Sequence, residues 1–138
     1  MMRCTVAILA LALVACDVVT NRYATISEAR EDRLFERGWL PDILPPSSVR
    51  ITVSNDLDLN TSEGEFSFAS SEFPAFRAHL ATGAPERAPF RGWSSLVRGK
   101  LSEGYGAWQV QREVYTWVFL CHERDGHCVY RMWPTSAG

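Results

Sequence analysis

The chain has 138 residues, 46% hydrophobic and 22% charged, a composition that suits one globular domain and leaves little material for a second core. Its formal net charge is -2, which gives nucleic acid no electrostatic foothold and predicts no nucleic-acid partner.

The first element in chain order is a leader. Arg3 supplies a positive start, and CTVAILALALVA (4–15) is too short to span a bilayer comfortably but suits a signal-peptide core. The run closes on Leu13-Val14-Ala15-Cys16, which resembles a bacterial lipobox. That resemblance implies a diacylglyceryl thioether on Cys16, cleavage before it and anchorage to a membrane by lipid alone. An ordinary secretory signal with a chance cysteine is the alternative. Asp17 directly after the cysteine resembles an inner-membrane retention signal. The expected organisation is a lipoprotein signal peptide over 1–15, a lipidated tether over 16–24 and a single α+β domain over 25–138.

Thr25-Ile26-Ser27-Glu28 has capping-box spacing and predicts a helix from 26 to about 37, stopped by Gly38. Its charged centre, EAREDRLFER, reads as a surface helix resting on a sheet. Pro41, Pro45 and Pro46 make the next segment extended. VRITVSNDLDLN (49–60) alternates as a strand, with Val49, Ile51 and Val53 on one face and Leu57 and Leu59 following a phase change near Ser54-Asn55, read as a bulge or turn. Residues 61–64 read as a turn and 65–69 as a strand. Phe73, Phe76 and Leu80 have helical spacing, with Ser71 as cap and Pro74 in the first turn. After a loop over 81–90, the segments 105–111, 114–122 and 127–134 are rich in β-branched and aromatic residues. The expected fold class is therefore α+β: two short helices packed on an antiparallel sheet, with a C-terminal β-hairpin stapled by a disulfide.

The order RYAT and its EAR helix (22–30), GWLP with LPPS (38–47), NDLDLN with GEFSF (55–68) and a tryptophan-rich C-terminal hairpin (117–133) resembles an uncharacterised family of small bacterial envelope proteins and lipoproteins. The resemblance implies the same fold and carries no activity.

Three constellations invite a chemical reading. Asp56, Asp58 and Asn60 stand at alternate positions like the oxygen donors of a calcium loop, yet Thr61 replaces the sharp-turn glycine and Ser67 the bidentate acid. A polar sheet face running into a turn is the stronger reading, and these three residues are the candidates for a polar ligand contact. The tryptophans at 39, 93, 108, 117 and 133 suit either sugar stacking or a small domain's core, and Trp117 and Trp133 lie in apolar strands that favour the core. CHERDGHC (121–128) pairs two thiols with two imidazoles. If 123–126 is a four-residue hairpin loop with Gly126 left-handed, Cys121 opposes Cys128 and His122 opposes His127. Both thiols then share one sheet face and both imidazoles the other, so four ligands cannot converge on zinc. An exported chain favours a Cys121–Cys128 disulfide, with zinc or two free thiols as alternatives and the histidine pair exposed.

With no nucleophile elbow, phosphate-cradling glycine loop or dinucleotide fingerprint in the sequence, and no cofactor motif, the expected function is non-enzymatic. It is that of a membrane-tethered envelope lipoprotein with an interaction or scaffolding role, partnered by the membrane through its N-terminal lipid and by an envelope protein. The alternative is a binding module for a glycan or a metal ion.

Overall fold

Among residues 17–138, which the computed structural model describes, seven strands form one antiparallel sheet. The α+β expectation is overturned: the domain is mostly β, with a few short helices in place of a helical layer. The signal peptide (1–15) and Cys16 lie outside the described residues.

The strands are β1 (Val18–Thr25), β2 (Val49–Asp56), β3 (Thr61–Ser67), β4 (Ala81–Thr82), β5 (Gly106–Arg112), β6 (Tyr115–His122) and β7 (His127–Pro134), laid side by side as β1-β2-β3-β7-β6-β5-β4. The segment expected as a tether is thus an edge strand. It pairs with β2 from Val18 opposite Asp56 to Thr25 opposite Val49. Only Tyr23 of β1 is buried, so the strand is held by its ladder more than by packing.

Thr25 and Glu28 cap helix α1 (Ile26–Glu31) as their spacing predicts. The Thr25 hydroxyl accepts from the Glu28 N–H at 3.3 Å, and the Glu28 carboxylate accepts from the Ala24 N–H at 2.7 Å. The helix stops at Glu31, nearly two turns before Gly38, because Arg33 adopts a left-handed conformation (φ 58°). Leu34 N–H then bonds the Ala29 carbonyl and Arg33 N–H the Arg30 carbonyl, a Schellman stop made without glycine. Leu34 and Ala29, both buried, supply its apolar contact.

β2 ends at Asp56, and 57–60 form the loop to β3, so the phase change foreseen inside a long strand is a hairpin turn. Asp56 Oδ1 closes that turn by accepting from the N–H groups of Asp58 and Leu59. Residues 61–64, expected to turn, are strand. The irregularity in the ladder lies instead between Val49 and Thr52, where Arg50 has φ 50°. Gly64 permits close approach here, since a Cβ at this position would collide with the Thr52 carbonyl and the Tyr130 ring.

Both sheet faces are covered in part. On one, Ile51, Val53, Phe66, Phe119, Tyr130 and Met132 lie beneath residues 26–48 and helix α2 (Phe73–Arg77). Phe76 meets Phe119 edge-on at 5.2 Å and Phe66 at 6.0 Å. Each such ring buried stabilises the fold by about 1.5–3 kcal/mol. Ser47 ties the covering segments together: its hydroxyl donates to Glu72 at 2.5 Å and accepts from the Ala69 N–H at 2.8 Å. On the other face, Val118, Leu120 and Trp133 lie beneath Trp93, Leu96 and Val97 of helix α3 (Trp93–Ser102) and Phe90. This third helix was not expected from the sequence.

One polar cluster is fully internal. Ser62 donates to Asn55 Oδ1 at 2.7 Å, which leaves its oxygen to accept from the Tyr130 hydroxyl, also at 2.7 Å. Burial raises the Tyr130 pKa strongly, in keeping with a phenol that acts as donor. Among the described residues no buried side-chain polar atom lacks a partner.

Candidate functional site

The β6–β7 hairpin separates its four notable side chains as the alternation demands. Cys121 and Cys128 are paired in register, form a disulfide and are fully buried on the α2 face, with Cα atoms 4.1 Å apart. Gly126 is left-handed at φ 62°, and a Cβ there would collide with the Phe68 carbonyl. His122 and His127 face the opposite side and are half-buried rather than exposed, because Tyr105 stands edge-on to both rings, at 5.4 and 5.9 Å. Asp125 N–H donates to His122 Nδ1 at 3.2 Å, and the Asp125 carboxylate lies 3.4 Å from the same nitrogen. Tyr105 O–H lies 2.8 Å from His127 Nδ1, and His127 Nε2 lies 3.3 Å from Glu65. The Lys100 ammonium sits 4.7 Å above the Tyr105 ring. Among the described residues no group of three or more metal-ligating side chains gathers around these imidazoles or elsewhere.

Beside the histidines an open groove of about 1050 Å³ runs between the β6–β7 turn and α2. Its lining includes the edges of the buried Phe73 and Trp108 together with Arg77, His122 and Arg124. The two guanidinium groups can receive an anionic group, although Glu123, 3.9 Å from Arg77, offsets part of the charge.

Asp56, Asp58 and Asn60 do not converge on one point. Asp56 is used in closing the hairpin turn. Asp58 meets Asp17, whose hydrogen bond and charge raise the Asp58 pKa, with smaller effects of burial and of Asp56. Asn60, left-handed at φ 56°, donates to the Tyr115 hydroxyl at 2.5 Å. It thereby enters a second groove of about 420 Å³, which also contains Trp39, Tyr115 and Arg112. Trp93, Trp108, Trp117 and Trp133 are core residues, and Trp39 alone of the five is half-buried. Trp117 Nε1 donates to the Trp39 carbonyl at 3.0 Å and fixes that backbone beside the groove.

The Asp17–Asp58 contact has a pH signature. A carboxyl whose folded pKa lies above its unfolded value stabilises the fold when protonated, and that contribution is lost as pH rises through the folded pKa. Asp58→Asn should therefore melt higher than the wild type at neutral pH. The difference should shrink as pH falls through the carboxylate range, which paired melting curves would measure; a constant difference would remove the coupling.

Residues 17–67 match the family model of the YbbD head domain. The matched segment comprises β1, α1, the proline-rich connection and the β2–β3 hairpin. The match suggests a bacterial envelope-associated family. No curated protein and no solved structure matches the chain.

Sequence reading missed both grooves, because each assembles residues from distant segments: Arg77 with Arg124 in one, Trp39 with Asn60 and Tyr115 in the other. The one local signal was the tryptophan, Trp39, outside any strand pattern.

Proposed function

We propose that this chain is a non-enzymatic lipoprotein of the bacterial envelope, held on the periplasmic side of the inner membrane by lipid on Cys16, and that it works by pairing with another envelope protein. The observation that carries the interaction role is the open edge of β1. Leu57 N–H donates to the Asp17 carbonyl at 3.0 Å; in that phase Val19, Asn21 and Tyr23 exchange hydrogen bonds with β2. Val18, Thr20 and Arg22 turn their backbone groups outward, along a strand without proline, lysine or bulge to blunt it. An edge of this kind accepts an added strand. The lipobox supports the tether, the Asp17 position supports inner-membrane retention, and the YbbD head likeness supports the envelope.

Two substitutions in the full chain separate the parts of this reading. Cys16→Ser should release the protein from membranes; retention would end the tether. Thr20→Pro removes an outward N–H and no β1–β2 backbone hydrogen bond, giving up only the exposed hydroxyl contact with Ser54 at 2.7 Å, so the domain should stay folded and membrane-bound. A protein that copurifies with the wild type from membranes should be lost from this variant, and unchanged capture would sink the edge-pairing role.

A second reading, glycan binding, is favoured by the half-buried Trp39 beside Tyr115 and Asn60, which offers an aromatic face next to polar groups. Titration with muropeptide fragments followed by tryptophan fluorescence tests it, and a response retained in Trp39→Ala would remove it.

A further inference from the structure

Val18, Val19, Leu57, Leu59 and Val114, five of the six exposed large apolar side chains among the described residues, gather at one end of the sheet. Val18 and Val19 open β1, Leu57 and Leu59 occupy the β2–β3 loop, and Val114 lies in the β5–β6 turn. The Asn60–Tyr115 hydrogen bond ties those two turns together. Leu101, the sixth, lies near the end of α3, two residues before the turn that leads into β5. Leu57 and Leu59 are 54% and 65% exposed, although each belongs to a residue type that burial normally claims. Nothing in the hairpin requires them, since Asp56 and the left-handed Asn60 close the turn.

The chain enters the fold at the same place. Asp17, first of the described residues, is bonded to Leu57, and Cys16 is its neighbour in sequence. An anchor on Cys16 therefore has no slack before the domain begins. We infer that this end of the sheet is a membrane seat: Leu57, Leu59 and Val18 rest in the headgroup and upper acyl region of the bilayer that holds the Cys16 lipid. This inference rests on the proposed tether and gives it an orientation. Arg91, which shares a shallow groove with Val18 and Leu59, and Arg112 at the neighbouring turn are exposed and long enough to lie along the surface with their heads at the phosphates. Asp17, Asp56 and Asp58 stand at the same end, so the seat depends on aliphatic burial and not on attraction to anionic lipid. It also holds β1 close to the bilayer, which confines the open edge to partners at the membrane surface.

The test uses the full lipidated chain in phosphatidylethanolamine–phosphatidylglycerol vesicles whose acyl chains carry bromine. Cys16 is blocked by lipid and Cys121 and Cys128 by their buried bond, so Leu59→Cys and Leu101→Cys each offer a single thiol for an environment-sensitive fluorophore. Quenching at position 59 should be several-fold stronger than at 101. Equal quenching with the protein still bound to vesicles overturns the seat and leaves the tether standing. Failure of the lipidated chain to bind vesicles overturns both. A spectral shift at 59 that follows protein density and ignores bromine assigns the surface to a second copy of the chain, which also overturns the seat.

Discussion

Trp133→Ala should cost the domain about 3–5 kcal/mol, the largest loss expected from any single tryptophan. Trp133 is 2% exposed and lies in β7, where its ring meets Trp93 edge-on at 5.6 Å and Phe90 at 5.9 Å. These three rings, with Val118 and Leu120 beneath them, join α3 and the loop before it to the sheet. Removing the indole opens a cavity that α3 cannot collapse to fill, because the helix starts at Trp93 and is fixed there by the bond from Trp93 Nε1 to the Pro85 carbonyl. The expected result is a large drop in urea midpoint and loss of protection in α3 by hydrogen exchange. Trp39→Ala, at the edge of a groove, should cost much less. If the two variants lose similar stability, the division between core and groove tryptophans is wrong.

The β6–β7 hairpin was legible because alternation, loop length and Gly126 all agree on one register. Thr25 and Glu28 announced α1 for the same reason: a cap is a local contact between neighbours in the chain. Its end is hidden in the sequence because Gly38 is the obvious stop, whereas the chain turns at Arg33, a residue type that seldom adopts φ near 58°. β1 reads as a tether in the sequence, since an edge strand with one buried residue leaves no alternating pattern. Leu57 and Leu59 imitate a strand face at the right spacing; the phase change near Ser54-Asn55 signals a bulge or turn, and the bonds to Asp56 Oδ1 place that turn at 57–60. α3 did carry a signal, with Trp93, Leu96 and Val97 at helical spacing, but it begins at a left-handed Gly92 with no side-chain cap and contains Gly99. The fold class went astray through these omissions together: a tether that is a strand, and a helix that ends early. The grooves were beyond reach because they join segments whose proximity depends on the order of strands in the sheet.

Replacing both hairpin cysteines, Cys121→Ala with Cys128→Ala, should lower stability by about 2.5 kcal/mol, the chain-entropy value for so short a closed loop. For a domain of this size that corresponds to a fall in melting temperature of about 10 °C. Alanine is the better probe than serine, because both sulfurs are fully buried and a hydroxyl left there would add an unpaired polar group. The loss should come from the unfolded state more than from the hairpin itself, since β6 and β7 remain paired over eight positions and β7 is also held by β3. Circular dichroism should therefore change little below the transition. Treating the wild type with reductant should give a similar fall in melting temperature. Adding zinc to the reduced chain should not reverse it, because the thiols face the α2 side of the sheet while His122 and His127 face Tyr105 on the other. Recovery with zinc would mean that the hairpin can twist enough to bring four ligands together, and it would return metal binding to consideration as this segment's chemistry.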